Sequence, residues 1–197
     1  MSNDVVNKSR RRVLTAATTV VGAAGAVGVA IPFVGSWNPS AKAKAAGAPV
    51  TVNIGKIEPG AMITVEWRGK PVYIVRRTPQ ALEGLQKIAE LVRDPASEEL
   101  QQPPYAQNPT RSIKPEFLIL LGLCTHLGCA PMFRPDVGAA DLGGDDWQGG
   151  FFCPCHGSKF DLAGRVYKGV PAPINLEVPP HSYQSDSVVV IGVDQEA

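Results

Sequence analysis

The longest feature in the apolar and polar pattern of the chain is an uncharged apolar run from Val13 to Val34. As a helix, 22 residues extend about 33 Å, enough to cross a hydrocarbon layer of roughly 30 Å. The stretch from Pro39 to Pro49 then holds no aliphatic side chain larger than Ala, so it cannot join a core and reads as a tether. It spans about 15 Å as a helix and at most about 33–36 Å when extended, a difference in reach close to ~20 Å. Strand-like alternation follows over Val50 to Ile57 and over Met62 to Trp67. Arg68-Gly69-Lys70 turns the chain into Pro71 to Arg76, which predicts a hairpin. Thr78 and Pro79 signal a helix start, and Leu82, Leu85, Ile88, Ala89 and Val92 keep helical spacing until Asp94-Pro95 stops it. Residues 95–115 are loop. Phe117 to Leu123 is a continuous apolar run and predicts a buried strand. Residues 130–152, with Arg134-Pro135-Asp136 and Gly143-Gly144-Asp145-Asp146, read as an irregular surface insertion without chemistry. Gly164 to Tyr167, Asn175 to Val178 and Ser187 to Val193 are expected to close the fold, with His181 on the surface or in a turn.

Composition narrows this picture. The roughly 150 residues beyond the apolar run leave room for one globular domain, residues 50–197. A net charge of +1 gives no footprint for nucleic acid, and 20 Gly with 18 Pro suit a loop-rich, mainly β domain. The polar residues 1–12 end in Lys8-Ser9-Arg10-Arg11-Arg12. By the positive-inside rule they stay cytoplasmic, which makes 13–36 a single-pass inner-membrane anchor, 37–49 a neck and the remainder a periplasmic head. Ser9 to Leu14 resembles a twin-arginine export signal, a route for proteins that fold with their cofactor before crossing. A cleaved signal, cut near Ala43 or Ala45, is the competing expectation. Gly22, Gly25 and Gly28 lie three apart, either to admit a close helix neighbour or simply tolerated facing lipid.

The chemistry is concentrated in two short loops. Cys124-Thr125-His126-Leu127-Gly128-Cys129 and Cys153-Pro154-Cys155-His156-Gly157-Ser158 hold all four cysteines and two of the three histidines. Thiolate and imidazole are the side chains that best bind soft and borderline metals. Two Cys and two His would satisfy one tetrahedral zinc as a structural site. A two-iron, sulfide-bridged cluster also needs four ligands, and placing both His on one iron raises its potential above that of all-cysteine clusters. Composition and spacing leave open whether Cys124 or Cys129 is the ligand in the first loop.

These two motifs resemble those of the Rieske iron–sulfur subunits of cytochrome bc complexes, the ubiquinol–cytochrome c reductases. The resemblance extends over nearly the whole chain, because basic N-terminus, anchor, linker and head come in the family's order. It implies a Rieske-type antiparallel β-sandwich head with one inserted helix and a cluster-binding loop subdomain, behind an uncleaved N-terminal transmembrane helix. It implies one Rieske 2Fe-2S cluster held by Cys124, His126, Cys153 and His156, with Cys129 paired to Cys155 in a disulfide. Such a pairing belongs to an oxidising compartment. The implied activity is quinol oxidation: ubiquinol gives an electron to the cluster, which passes it to a c-type cytochrome subunit, contributing to a proton gradient. His156 is then the ligand in contact with quinol. Leu127 and Gly128, with Pro171-Ala172-Pro173, form the rim that docks on the cytochrome b subunit, within a membrane complex expected to be a dimer.

A histidine that binds metal through one ring nitrogen leaves the other free to take a proton, so electron and proton can move together at His126 and His156. Ser158 matches the family serine that hydrogen-bonds a bridging sulfide. At Phe160 many respiratory members carry a tyrosine donor, so one hydrogen bond is missing and a lower midpoint than in those relatives is expected. The competing assignment is the small Rieske subunit of an exported molybdenum oxidase such as arsenite oxidase. Cytosolic Rieske ferredoxins and oxygenases generally lack the disulfide pair.

Overall fold

The computed structural model describes residues 7–194, so residues 1–6 of the expected cytoplasmic N-terminus lie outside the described residues. The chain divides into two units, one up to Ala45 and one from Ala46. The first unit is built on helix α1 (Lys8–Gly35), capped by Asn7, whose side chain accepts from Arg10 N at 3.1 Å. With that cap in place the helix starts ahead of the apolar run and takes in the basic residues. Among the described residues it is the one helix long and apolar enough to cross a membrane. The hydroxyls of Thr15, Thr18 and Thr19 donate to the carbonyls four residues back at 2.8–2.9 Å, so these three hydroxyls are satisfied within the helix. Within the expected tether lies a short helix, α2 (Ala41–Ala46), whose start is capped by Ser40 Oγ accepting from Ala43 N. Alanine's high helix propensity accounts for it.

The second unit contains three small antiparallel sheets. Strands β1 (Val50–Asn53), β9 (Val188–Ile191) and β8 (His181–Ser185) make the first, in that order. Strands β2 (Met62–Trp67), β3 (Lys70–Arg76) and β4 (Phe117–Leu121) make the second. Strands β5 (Met132–Arg134), β6 (Gly150–Cys153) and β7 (Ser158–Asp161) make the third. The middle sheet is apolar on both faces. Val72, Ile74, Phe117, Ile119 and Leu121 pack with β1 and β9, whereas Tyr73, Val75, Leu118 and Leu120 pack with Phe151, Phe160, Cys124 and Cys153. Two-residue periodicity therefore sends successive side chains of β4 into two different cores, which is why its sequence is an unbroken apolar run. The hairpin turn has both central residues at positive φ, Arg68 at 53° and Gly69 at 71°, the handedness a two-residue hairpin favours.

Several expectations are corrected. Helix α3 (Pro79–Lys87) is capped by Thr78 as expected but stops before Arg93. Ile88 leaves helical geometry, a 3-10 turn covers Ala89–Leu91, and Val92 pairs with Tyr167. The break turns Ile88 and Val92 into a core with Leu142, Trp147 and Tyr167. Residues 130–152 are thus no mere surface insertion: they supply β5 and most of β6, and Trp147 is 0% exposed and stacked on Tyr167. Asn175 to Val178 forms no strand and is fixed by single bonds, such as Leu176 N to Gly164 O at 2.8 Å. Gly164 to Tyr167 contributes only isolated bridges. His181 opens β8 and is buried, its Nδ1 2.9 Å from Pro179 O and its ring edge-on to Tyr105.

Candidate metal centre

Strand β4 delivers the first loop and β6 the second, and the two cysteines that begin these loops both enter the core. Cys124 is 3% exposed and Cys153 1%. Each loop closes on its own backbone in the same way. Gly128 N donates to Cys124 O at 2.8 Å, and Gly157 N to Cys153 O at 2.9 Å. Both glycines have positive φ, 80° and 76°, where a side chain is strained. A further bond from Cys124 N to Cys129 O at 2.7 Å tightens the first loop. The segment 170–174 ties in both loops, since Ala172 N donates to Ser158 Oγ at 3.0 Å and Thr125 Oγ1 to Ile174 O at 2.6 Å. Tyr73 sits behind the site. It stacks on Phe151, its hydroxyl donates to Pro131 O at 3.0 Å, and its ring fills the space that a Gly122 side chain would need.

Sulfur connectivity separates the four cysteines into one bonded pair and two free thiols. Cys129 and Cys155 form a disulfide across the loops, with Cα atoms 6.7 Å apart, and Cys124 and Cys153 remain free. The sulfurs of Cys129, Cys153 and Cys155 lie within 4.8 Å of one another, but two of those three are consumed by the disulfide. Burial and the neighbouring Cys153 push the Cys124 thiol up, whereas the His126 backbone N–H and Ser158 hydroxyl favour its thiolate. The histidines face outward: His156 is exposed, His126 half-buried, and their ring centroids are 4.7 Å apart at near right angles. Around them Leu127 (71% exposed), Pro171 and Pro173 form an apolar rim, with Ala172 buried beneath.

Two buried free thiols and two neighbouring imidazoles, carried by the same two loops, are a donor set whose chemistry fits a mixed nitrogen/sulfur cluster. Ser158 is fully buried and its Oγ accepts from Ala172 N, leaving the hydroxyl proton to donate to the Cys124 sulfur. Phe160 is 0% exposed in the core below, with no donor to offer. Phe160→Tyr is expected to raise the midpoint of the loaded site; a redox titration with no upward shift would refute that role for position 160. Sequence reading missed Thr125 and Tyr73 as supports, because their partners lie 49 and 58 residues away.

A fold of small antiparallel sheets with paired Cys/His loops at one edge defines a Rieske-type iron–sulfur protein. Residues 49–180 match the Rieske 2Fe-2S domain family, and residues 1–40 match the "Ubiquitinol-cytochrome C reductase Fe-S subunit TAT signal" family. The ubiquinol–cytochrome c reductase iron–sulfur subunit of Allochromatium vinosum is 59% identical over 195 residues, 99% of this chain and 94% of that one. The corresponding subunit of Blastochloris viridis is 40% identical over 193 residues, 97% of each chain. Among solved structures, "Hyperthermophilic respiratory Complex III" overlays with a TM-score of 0.48 at 24% identity, covering 88% of this chain and 98% of that one. The chain belongs to the family of ubiquinol–cytochrome c reductase iron–sulfur subunits, whose cofactor is one Rieske 2Fe-2S cluster.

Proposed function

We propose that Cys124, His126, Cys153 and His156 hold the 2Fe-2S cluster, and that the chain carries electrons from ubiquinol to a c-type cytochrome within a membrane quinol:cytochrome c oxidoreductase. The observation that carries this reading is the exposed His156 beside His126, above two buried free thiols. When bound, a Rieske cluster supplies one-electron chemistry at a potential above that of all-cysteine clusters. The rest belongs to the chain's own residues. Burial of Cys124 and Cys153 keeps water from their sulfurs. The ring nitrogen of His156 left free by metal binding accepts a hydrogen bond from the quinol hydroxyl and takes its proton, and exposure lets it release that proton to solvent. Leu127, Gly128, Pro171 and Pro173 offer the apolar surface that docks on cytochrome b.

Helix α1 anchors the chain in lipid, with the arginines at its start cytoplasmic and the head periplasmic. The neck, residues 37–49, contains α2, and unwinding its six residues lengthens the tether by about 10 Å. That reach suits a head that visits a quinol site and a cytochrome in turn, in a complex that is a dimer. The test uses the chain in its membrane complex. Added anaerobically, ubiquinol should reduce the cluster and a c-type cytochrome should reoxidise it. A cluster that only a strong, low-potential donor reduces would contradict the proposal.

A further inference from the structure

Beneath the third sheet lies an uncommon concentration of buried charge. Arg77, Arg111 and Arg165 are 2%, 0% and 2% exposed, and Asp161 is the only fully buried carboxylate among the described residues. Arg165 takes that carboxylate, its Nε 2.7 Å from Asp161 Oδ2. The other two are held by neutral acceptors. Arg77 donates to Pro115 O, Thr110 O, Leu162 O and Ser112 Oγ, at 2.7–2.9 Å. Arg111 donates to Ala163 O, Gly164 O and Gln102 Oε1, at 2.9–3.3 Å, while its Nε is buried without a partner. Asp161, already paired with Arg165, and for Arg111 also the half-buried Asp94, offset only part of these two charges. Burial lowers Arg77 to about 9 and Arg111 to about 10, so both stay protonated at neutral pH.

All three guanidinium groups converge on Asp161 to Arg165, the direct continuation of β7. That strand begins at Ser158 in the second ligand loop, so at about 3.3 Å per residue the charged floor lies roughly 10 Å from the loop. The space between is filled by Phe160, Phe151 and Val166, an apolar medium that screens little. A net positive charge there favours whichever state of the site above carries more negative charge.

Resting on the cluster assignment above, we infer that Arg77 and Arg111 are potential-setting residues: their buried, carbonyl-held charges stabilise the added electron and raise the midpoint of the cluster. They act on it through space and touch neither ligand loop nor quinol. A purely architectural role, clamping the carbonyls of 110–115 and 162–164, would affect folding alone. The signs of the shifts separate the two.

The experiment is a redox titration, followed by the cluster's own spectrum, on the full chain in membranes, with thermal unfolding measured in parallel. Arg111→Gln and Arg77→Gln should each lower the midpoint. At 10–15 Å and an effective dielectric of about 20, loss of one charge weakens the one-electron equilibrium roughly tenfold, or ~59 mV. Arg111→Lys, which keeps the charge, should hold the midpoint near the parent value. Asp161→Asn, which removes the counter-charge, should raise it although it also lowers stability. Neutral variants that unfold sooner yet keep the parental midpoint would overturn the inference, as would a downward shift in Asp161→Asn. If Arg111→Gln does not accumulate, Arg77→Gln and Asp161→Asn decide by their opposite signs. A parent chain with no cluster spectrum would remove the ligand assignment and this inference with it, an outcome distinct from an unmoved midpoint.

Discussion

Asp161→Ala is expected to lower the stability of the head by about 3–5 kcal/mol, because it strands the Arg165 guanidinium inside the protein. Asp161 is 0% exposed and Arg165 2%. Asp161 Oδ2 accepts from Arg165 Nε at 2.7 Å, and Oδ1 accepts from Ala163 N at 2.8 Å and Arg165 N at 2.9 Å. One carboxylate therefore closes the turn after β7 and neutralises the cation above it. Arg165 also reaches Leu85 O at 2.7 Å and Pro95 O, so the turn is fastened to α3 and to the loop that follows it. Surface pairs give the contrast. Lys114–Asp186 is equally short at 2.7 Å, but Asp186 is fully exposed, so water and salt screen the pair and its loss should cost far less. Chemical unfolding of Asp161→Ala and Asp186→Ala checks this ordering. A loss below about 1 kcal/mol in Asp161→Ala would show that the buried pair is not the fastening described here.

Cys155→Ser is expected to lower stability by about 3–4 kcal/mol and to reduce both iron content and midpoint potential. The first effect follows from chain entropy, since the bond closes a sequence separation of 26 residues. The second follows from where the bond lies. It joins Cys129, at the end of the first loop, to Cys155, between Cys153 and His156, so without it the two loops lose the disulfide cross-link between them. Gly128, Gly157, Thr125 and Ser158 still shape each loop by hydrogen bonds, so the variant should fold but hold its ligands at a less constrained separation. Iron assay and redox titration of the full chain read this directly. Parental iron content and midpoint in Cys155→Ser would contradict the stapling role.

What could be read from sequence was whatever depends on near neighbours. The apolar run gave the long apolar helix α1, Arg68-Gly69 the hairpin, Thr78-Pro79 the start of α3, and the Cys/His motifs the two loops, since each loop carries its own Cys, His and closing glycine. What escaped depends on distant partners. Ile88 leaves the helix because Trp147 and Tyr167 offer it a core, and no local signal marks that. Trp147 looked like part of a surface insertion because its Gly- and Asp-rich surroundings are polar, although its ring is fully buried. His181 is a polar residue at a strand start, buried by Tyr105 and Tyr183 from elsewhere in the chain. Within the site, spacing could not rank Cys124 against Cys129. The Cys129–Cys155 disulfide, a pairing between distant loops, leaves Cys124 and Cys153 as the free thiols. The three buried arginines were not read at all, because carbonyl acceptors leave no trace in sequence.

The most direct test of the central claim is electron paramagnetic resonance, with nitrogen hyperfine spectroscopy, on the full-length chain in membranes after reduction by ascorbate. Ligation by Cys124, His126, Cys153 and His156 predicts a rhombic signal under this mild donor, with coupling to the nitrogens of two inequivalent imidazoles. One coupling should be lost in His126→Cys and the other in His156→Cys. A signal without nitrogen coupling, or no signal and stoichiometric zinc, would contradict the account.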